Sequence, residues 1–133
     1  MLLAFCASVI AEREDAWFIN YHIYVTNHVP DDFPPGTPSL SVHCKSGDKD
    51  IGEQWLLPHE DYTFDTKIIN LTRTTLFFCN IWWEGKEVDF VVFKATRDEN
   101  RCRQSHNSCL WSVRDDGFYF SSDGTNWNKE YPW

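Results

Sequence analysis

Positive charge is scarce in this sequence: twelve Lys and Arg stand against twenty Asp and Glu, a net charge of −8. A surface of that sign neither tracks a phosphate backbone nor settles on an anionic leaflet, so nucleic acid is not an expected partner. Helical periodicity is missing too, because no apolar 3.6-residue pattern persists for two full turns. Beyond residue 11 no apolar run approaches the roughly 20 residues of a spanning helix, which excludes membrane insertion. There is no glycine-rich phosphate loop, no Gly-x-Ser-x-Gly elbow and no two-histidine zinc helix. With 42% hydrophobic and 17% aromatic residues, including seven Trp and ten Phe, the chain is nevertheless a packed globular domain. Its 133 residues suit one core and no more.

The first eleven residues, MLLAFCASVIA, are uncharged and apolar, with Val9 and Ala11 at the −3 and −1 positions of a cleavage site before Glu12. They are read as a secretory signal, truncated at its start because the basic n-region is missing. Residues 12–133 are then the single mature domain. Of the five cysteines, Cys6 would leave with the signal, and Cys44, Cys79, Cys102 and Cys109 remain. An even set in a secreted chain predicts two disulfides, with three pairings that spacing alone does not separate. The sequon Asn70-Leu71-Thr72 is a glycosylation acceptor in that compartment.

Strand patterns fill the rest. In residues 20–29, Tyr21, Ile23 and Val25 alternate with His22, Tyr24 and Thr26, the period of a half-buried strand. The proline-rich stretch 29–38 breaks it. Leu40, Val42 and Cys44 then share one face of the next strand, opposite Ser41 and His43. Residues 51–57 and 61–67 are further strands, and 74–83 is apolar on both faces, as in a central strand covered on both sides. Glu84-Gly85-Lys86 turns it into a hairpin with 88–95, and Asp116-Gly117 turns 109–115 into 118–122. The polar segment 97–107 between them reads as a solvated loop. The sum is an all-β fold, a small antiparallel β-sandwich of seven or eight strands stabilised by disulfides. Tryptophan is expected to supply much of its core. Trp127, Tyr131 and Trp133 in the tail are expected to dock back on the sheet.

Catalytic readings of these residues are weak. Adjacent strand residues point to opposite faces, so His43 and Cys44 cannot form a nucleophile pair. Cys102 and Cys109 are too far apart for a zinc knuckle. Asp48 and Asp50 resemble half a calcium loop, but Lys49 sits between them and no glutamate closes it. Acid pairs such as Asp31-Asp32 and Asp115-Asp116 lie in turns, where acids are ordinary. No metal, cofactor or catalytic residue is expected. The rivals to a binding role are a carboxylate-based hydrolase, which needs two acids with perturbed pKa values in a cleft, and a carbohydrate-binding module, which needs a coplanar row of exposed Trp.

Taken in order, Val25-x-Asn27, Leu40-x-Val42-His43-Cys44-Lys45-Ser46 with Ile51-Gly52, Thr74-Thr75-Leu76-Phe77-Phe78-Cys79, Cys102, and Cys109-x-Trp111-x-Val113 with Asp116-Gly117 resemble the plant self-incompatibility protein family. The resemblance spans essentially the whole mature chain. It implies a small secreted, extracellular plant protein with two intramolecular disulfides, acting without enzymatic activity as a ligand for a cell-surface receptor, as in rejection of self pollen. It further implies recognition through surface loops, here 46–50, 58–61 and 97–107, with Asp48, Lys49, Asp50, His59, Glu60, Arg101 and Arg103 as contact residues. The protein is expected to be a monomer. Within that frame the pairing is expected to be Cys44 to Cys109 and Cys79 to Cys102, because Cys44 and Cys109 share the inward alternation of Val42 and Trp111. The tail after Gly117 runs longer than the usual family ending.

Overall fold

A computed structural model describes residues 18–30, 32–69 and 74–133. The apolar leader and the Asn70 sequon lie outside them. The strands are β1 (Phe18–Asn27), β2 (Leu40–Lys45), β3 (Asp50–Leu56), β4 (Asp61–Ile69), β5 (Leu76–Trp83), β6 (Lys86–Lys94), β7 (Ser108–Arg114), β8 (Gly117–Ser121) and β9 (Asn128–Tyr131), with helix α1 (Ala95–Arg103) between β6 and β7. They form a five-stranded sheet, β4-β1-β7-β8-β9, and a four-stranded sheet, β3-β2-β5-β6. This is the expected all-β class, with the tail adding a ninth strand. Neighbours pair antiparallel except β1 and β7, which run parallel; so distant in sequence, they have no hairpin to dictate their direction.

The core lies between the sheets and follows the alternation. Tyr21, Ile23 and Val25 of β1, Leu40, Val42 and Cys44 of β2 and Phe77, Cys79 and Ile81 of β5 are all buried. Phe90 stacks on Phe118 at 4.7 Å, and Trp111 meets Phe90 and Phe120 edge-on at 5.0 and 5.3 Å. Its indole N–H donates to the Val92 carbonyl at 2.9 Å, satisfying the one polar atom it buries. The tail docks as expected: Trp133 packs on Phe118 and Trp83 and donates its indole N–H to the Arg114 carbonyl at 2.7 Å. Where β8 begins, a Cβ on Gly117 would collide with the Tyr131 carbonyl oxygen and lie 2.7 Å from Lys129 Cε, so the docked tail requires glycine there.

Four expectations are corrected. The segment 97–107 is not a loop throughout, because Ala95–Arg103 is helical. Its buried residues Ala95, Asp98, Glu99 and Cys102 recur at i, i+3, i+4 and i+7, one face of a helix. Half of them are acids, and that hid the stripe. The disulfides join Cys44 to Cys79 and Cys102 to Cys109, not Cys44 to Cys109 and Cys79 to Cys102. Cys44 and Cys79 sit directly opposite each other on β2 and β5, 4.0 Å apart at Cα. Inward alternation identifies a face but not a partner: Cys109 belongs to the other sheet and reaches Cys102 at the end of the helix just before it. β5 is not covered on both sides, since Leu76 and Trp82 on its outer face are exposed. Tryptophan fills less of the core than expected: Trp83 and Trp111 are buried, whereas Trp55 and Trp82 remain 48% and 38% exposed.

Candidate recognition surface

The β2–β3 turn is short and internally tied. The Ser46 amide donates to the Lys49 carbonyl at 2.8 Å, while the Ser46 hydroxyl donates to Asp48 Oδ1 at 3.0 Å and accepts from the Lys49 amide at 3.1 Å. Such hydroxyl-to-backbone bonds fix a bend without needing a core. Asp50 Oδ1 accepts from the Gly52 amide at 2.9 Å and meets His43 Nε2 at 2.6 Å. The His43 hydrogen bond, then the Gly52 amide, hold the Asp50 carboxyl below its ordinary range. His43 thus faces outward beside the turn, while Cys44 faces inward to its disulfide. Tyr62, reaching across from β4, accepts from the Cys44 amide and donates to the Gly52 carbonyl; burial raises its pKa. Asp48 and Lys49 are therefore exposed on a braced base, beside an open cleft of about 660 Å³ that they line with Thr66, Lys67, Thr75 and Phe78.

His59 and Glu60 lie at the other end of the sandwich. The seven residues of β3 separate the two turns by about 20 Å at a strand's rise of ~3.3 Å per residue. Asn27, buried at the end of β1, secures this second turn. Its amide group donates to Ser39 Oγ at 2.9 Å and to the Leu56 and Leu57 carbonyls at 3.2 and 3.1 Å. Its backbone accepts from the His59 amide at 2.8 Å and donates to the Glu60 carbonyl at 3.0 Å. The Glu60 carboxylate accepts from the Leu57 amide at 2.6 Å, so it caps its own turn. The His59 ring meets His28 edge-on at 5.5 Å. His28 contacts Ser112 Oγ at 2.6 Å, and its pKa is lowered by burial first, then by His59 and Arg114, against an upward pull from Asp61.

Arg101 and Arg103 are helix residues. Arg101 Nε donates to the buried Asp98 at 2.7 Å, its Nη1 donates to Glu130 at 2.6 Å, and its guanidinium lies 3.5 Å from the centre of the Phe120 ring. Arg97 adds bonds to Asp98, the Val91 carbonyl and the Tyr131 hydroxyl. Burial opposes the charge of Arg97, but Asp98 outweighs it and raises the pKa. Arg101 therefore belongs to the scaffold that joins α1 to β9. Arg103 is half-exposed, 4.0 Å from Glu99, and remains available at the surface. The seven expected contact residues are thus divided between the two turns and the helix, where Arg101 is tied into the scaffold and Arg103 is half-exposed; they do not form one patch.

The same geometry bears on catalysis. All four cysteines of the domain are in disulfides. Asp116 accepts from the Tyr119 hydroxyl at 2.7 Å, which depresses its pKa, whereas a glycosidase acid requires a raised one. Trp55 and Trp82, which sequence reasoning left out of the site, meet on the outer face of the four-stranded sheet at 5.5 Å and 64° between ring planes. Edge-to-face indoles do not make a coplanar platform for sugar rings. A signal for this open face was present in β6: Glu87 and Asp89 alternate with Val88 and Phe90, so the side carrying the acids faces water.

Comparison with known proteins finds relatives of the sequence. The sequence model for the plant self-incompatibility protein S1 family matches residues 22–133. S-protein homolog 18 of Arabidopsis thaliana is 38% identical over 96 residues, 72% of this chain and 69% of its own length. S-protein homolog 3 of the same plant is 30% identical over 118 residues, 88% of this chain and 75% of its own. Self-incompatibility protein S1 of Papaver rhoeas is 32% identical over 83 residues, 61% of this chain and 57% of its own. No solved structure matches.

Proposed function

The chain belongs to the plant self-incompatibility protein S1 family, and from that premise we propose that it is a secreted, non-enzymatic protein ligand read by a cell-surface receptor. The observation that carries this reading is the β2–β3 turn, where the exposed Asp48 and Lys49 stand on a base braced by Tyr62 and by the Cys44–Cys79 disulfide. A rigid scaffold with a charged, internally bonded turn loses little entropy when a partner seizes it. Two disulfides fit an oxidising compartment, in keeping with removal of residues 1–11 and glycosylation of Asn70. The protein acts as a monomer, with Arg103, His59 and Glu60 as further contacts.

The test immobilises folded protein, offers it detergent extracts of pollen and of other tissues, and identifies what it retains. Capture of a membrane-receptor ectodomain, lost on exchanging Asp48→Lys and Lys49→Asp, is the expected result. No receptor from any tissue, or capture indifferent to that exchange, sinks the reading.

A further inference from the structure

The outer face of β3-β2-β5-β6 has a chemistry that the turns do not share. Trp55 and Trp82 flank Ser41 on adjacent strands, and both stay substantially exposed although a sheet offers many ways to cover an indole. Next to them lie three acids. Glu53 accepts from the Ser41 hydroxyl at 3.1 Å, and Glu87 and Asp89 share the Asn80 amide at 3.0 and 2.8 Å. Among the described residues none of the three has a cationic partner within ion-pair distance. Their hydrogen bonds come from neutral donors, which orient the carboxylates without neutralising them.

We propose that this face is a docking surface for an extended, arginine-bearing segment of a protein partner. Charge complementarity selects the occupant. Carboxylates held in place take guanidinium groups in bidentate fashion, and the exposed indole faces take their planes by cation–π stacking, which Lys does less well. A second copy of this chain would bring another net charge of −8 against the same acids. The edge-to-face indoles disfavour a sugar. The surface is distinct from the turns invoked above, so it stands or falls independently of the receptor reading.

The experiment titrates the full folded chain with two synthetic peptides of equal length and charge, one alternating Arg with Ser and the other Lys with Ser, followed by calorimetry and by the indole N–H resonances. The Arg peptide should shift the Trp55 and Trp82 resonances and bind more tightly than the Lys peptide. Trp55→Ala/Trp82→Ala, which leaves net charge unchanged, should weaken binding by about tenfold. Glu87→Gln/Asp89→Asn should do likewise, and Asp115→Asn/Asp116→Asn, which removes the same charge elsewhere, should have far less effect. The proposal is overturned by no binding of the Arg peptide, by equal loss in both acid pairs, or by an affinity indifferent to the indoles. It is also overturned if a soluble oligosaccharide, and not the peptide, moves the indole resonances, or if sedimentation shows self-association through this face.

Discussion

Two segments rich in charge, the helix that follows β6 and the β2–β3 turn, look alike in the sequence and have opposite fates in the fold. In the helix the charges close on one another: Asp98, fully buried, gathers Arg97, Arg101 and the Lys94 amide, and Arg101 extends the network to Glu130. In the turn, Asp48 bonds to its own Ser46 hydroxyl and Lys49 projects outward. Charge density in a sequence is therefore not exposure. What separates the two is burial: Asp98, withdrawn from water, is matched by its helix neighbours Arg97 and Arg101, whereas the exposed Asp48 takes only a neutral hydroxyl.

That contrast can be broken most severely at Asp98. Asp98→Ala leaves two guanidinium groups without their shared acceptor, and the expected cost is about 3–5 kcal/mol in denaturant unfolding. A loss below ~1 kcal/mol, the range of exposed pairs, would place the helix charges on a par with the turn.

The staples of the two regions come next. Removing Cys44–Cys79, which spans 35 residues, should cost about 4 kcal/mol, and removing Cys102–Cys109, which spans 7, about 2.5. Equal losses from the paired Cys→Ser variants would show that loop length is not what decides their value.

pH provides a third measurement. The folded-state pKa of His28 lies below 6.5, so the unfolded chain binds the proton more readily. Stability should be fully present above pH 6.5 and decline as pH falls through the folded pKa. A His28→Asn variant should flatten that slope in thermal melts across this range; an unchanged slope would exclude His28 as its source. The smallest effect belongs to the open turn, where Lys49→Ala should move unfolding stability by no more than about 0.5 kcal/mol. A larger shift would mean that the turn is structural, as the helix is.

Much of the architecture is legible in residues 20–29 and 39–45, where a period of two survives because one face of each strand meets the core, while 74–83 shows a strand but not its faces, being apolar on both. The hairpin at Glu84-Gly85 is legible for a different reason: both residues take positive φ, 47° and 79°, as a tight hairpin turn requires. The helix is less so, because its buried face is made of Asp98 and Glu99 as much as of Ala95 and Cys102. For the candidate surfaces, the exposure of Asp48 and Lys49 could be anticipated from turn chemistry, and their choice as contacts came from the family resemblance. The indole pair could not, because Trp55 and Trp82 are 27 positions apart and become neighbours only through their pairing to Ser41 on β2.

By itself the sequence determined the faces of the alternating strands, the tight turns, the even cysteine set and the family, since each depends on local periodicity or on residue types in order. The tertiary structure alone decided which cysteine meets which, which arginine is spent inside the scaffold, and which tryptophans stay in water. Those outcomes depend on what lies across the sheet or across the core, and alternation along one strand carries no information about the strand beside it.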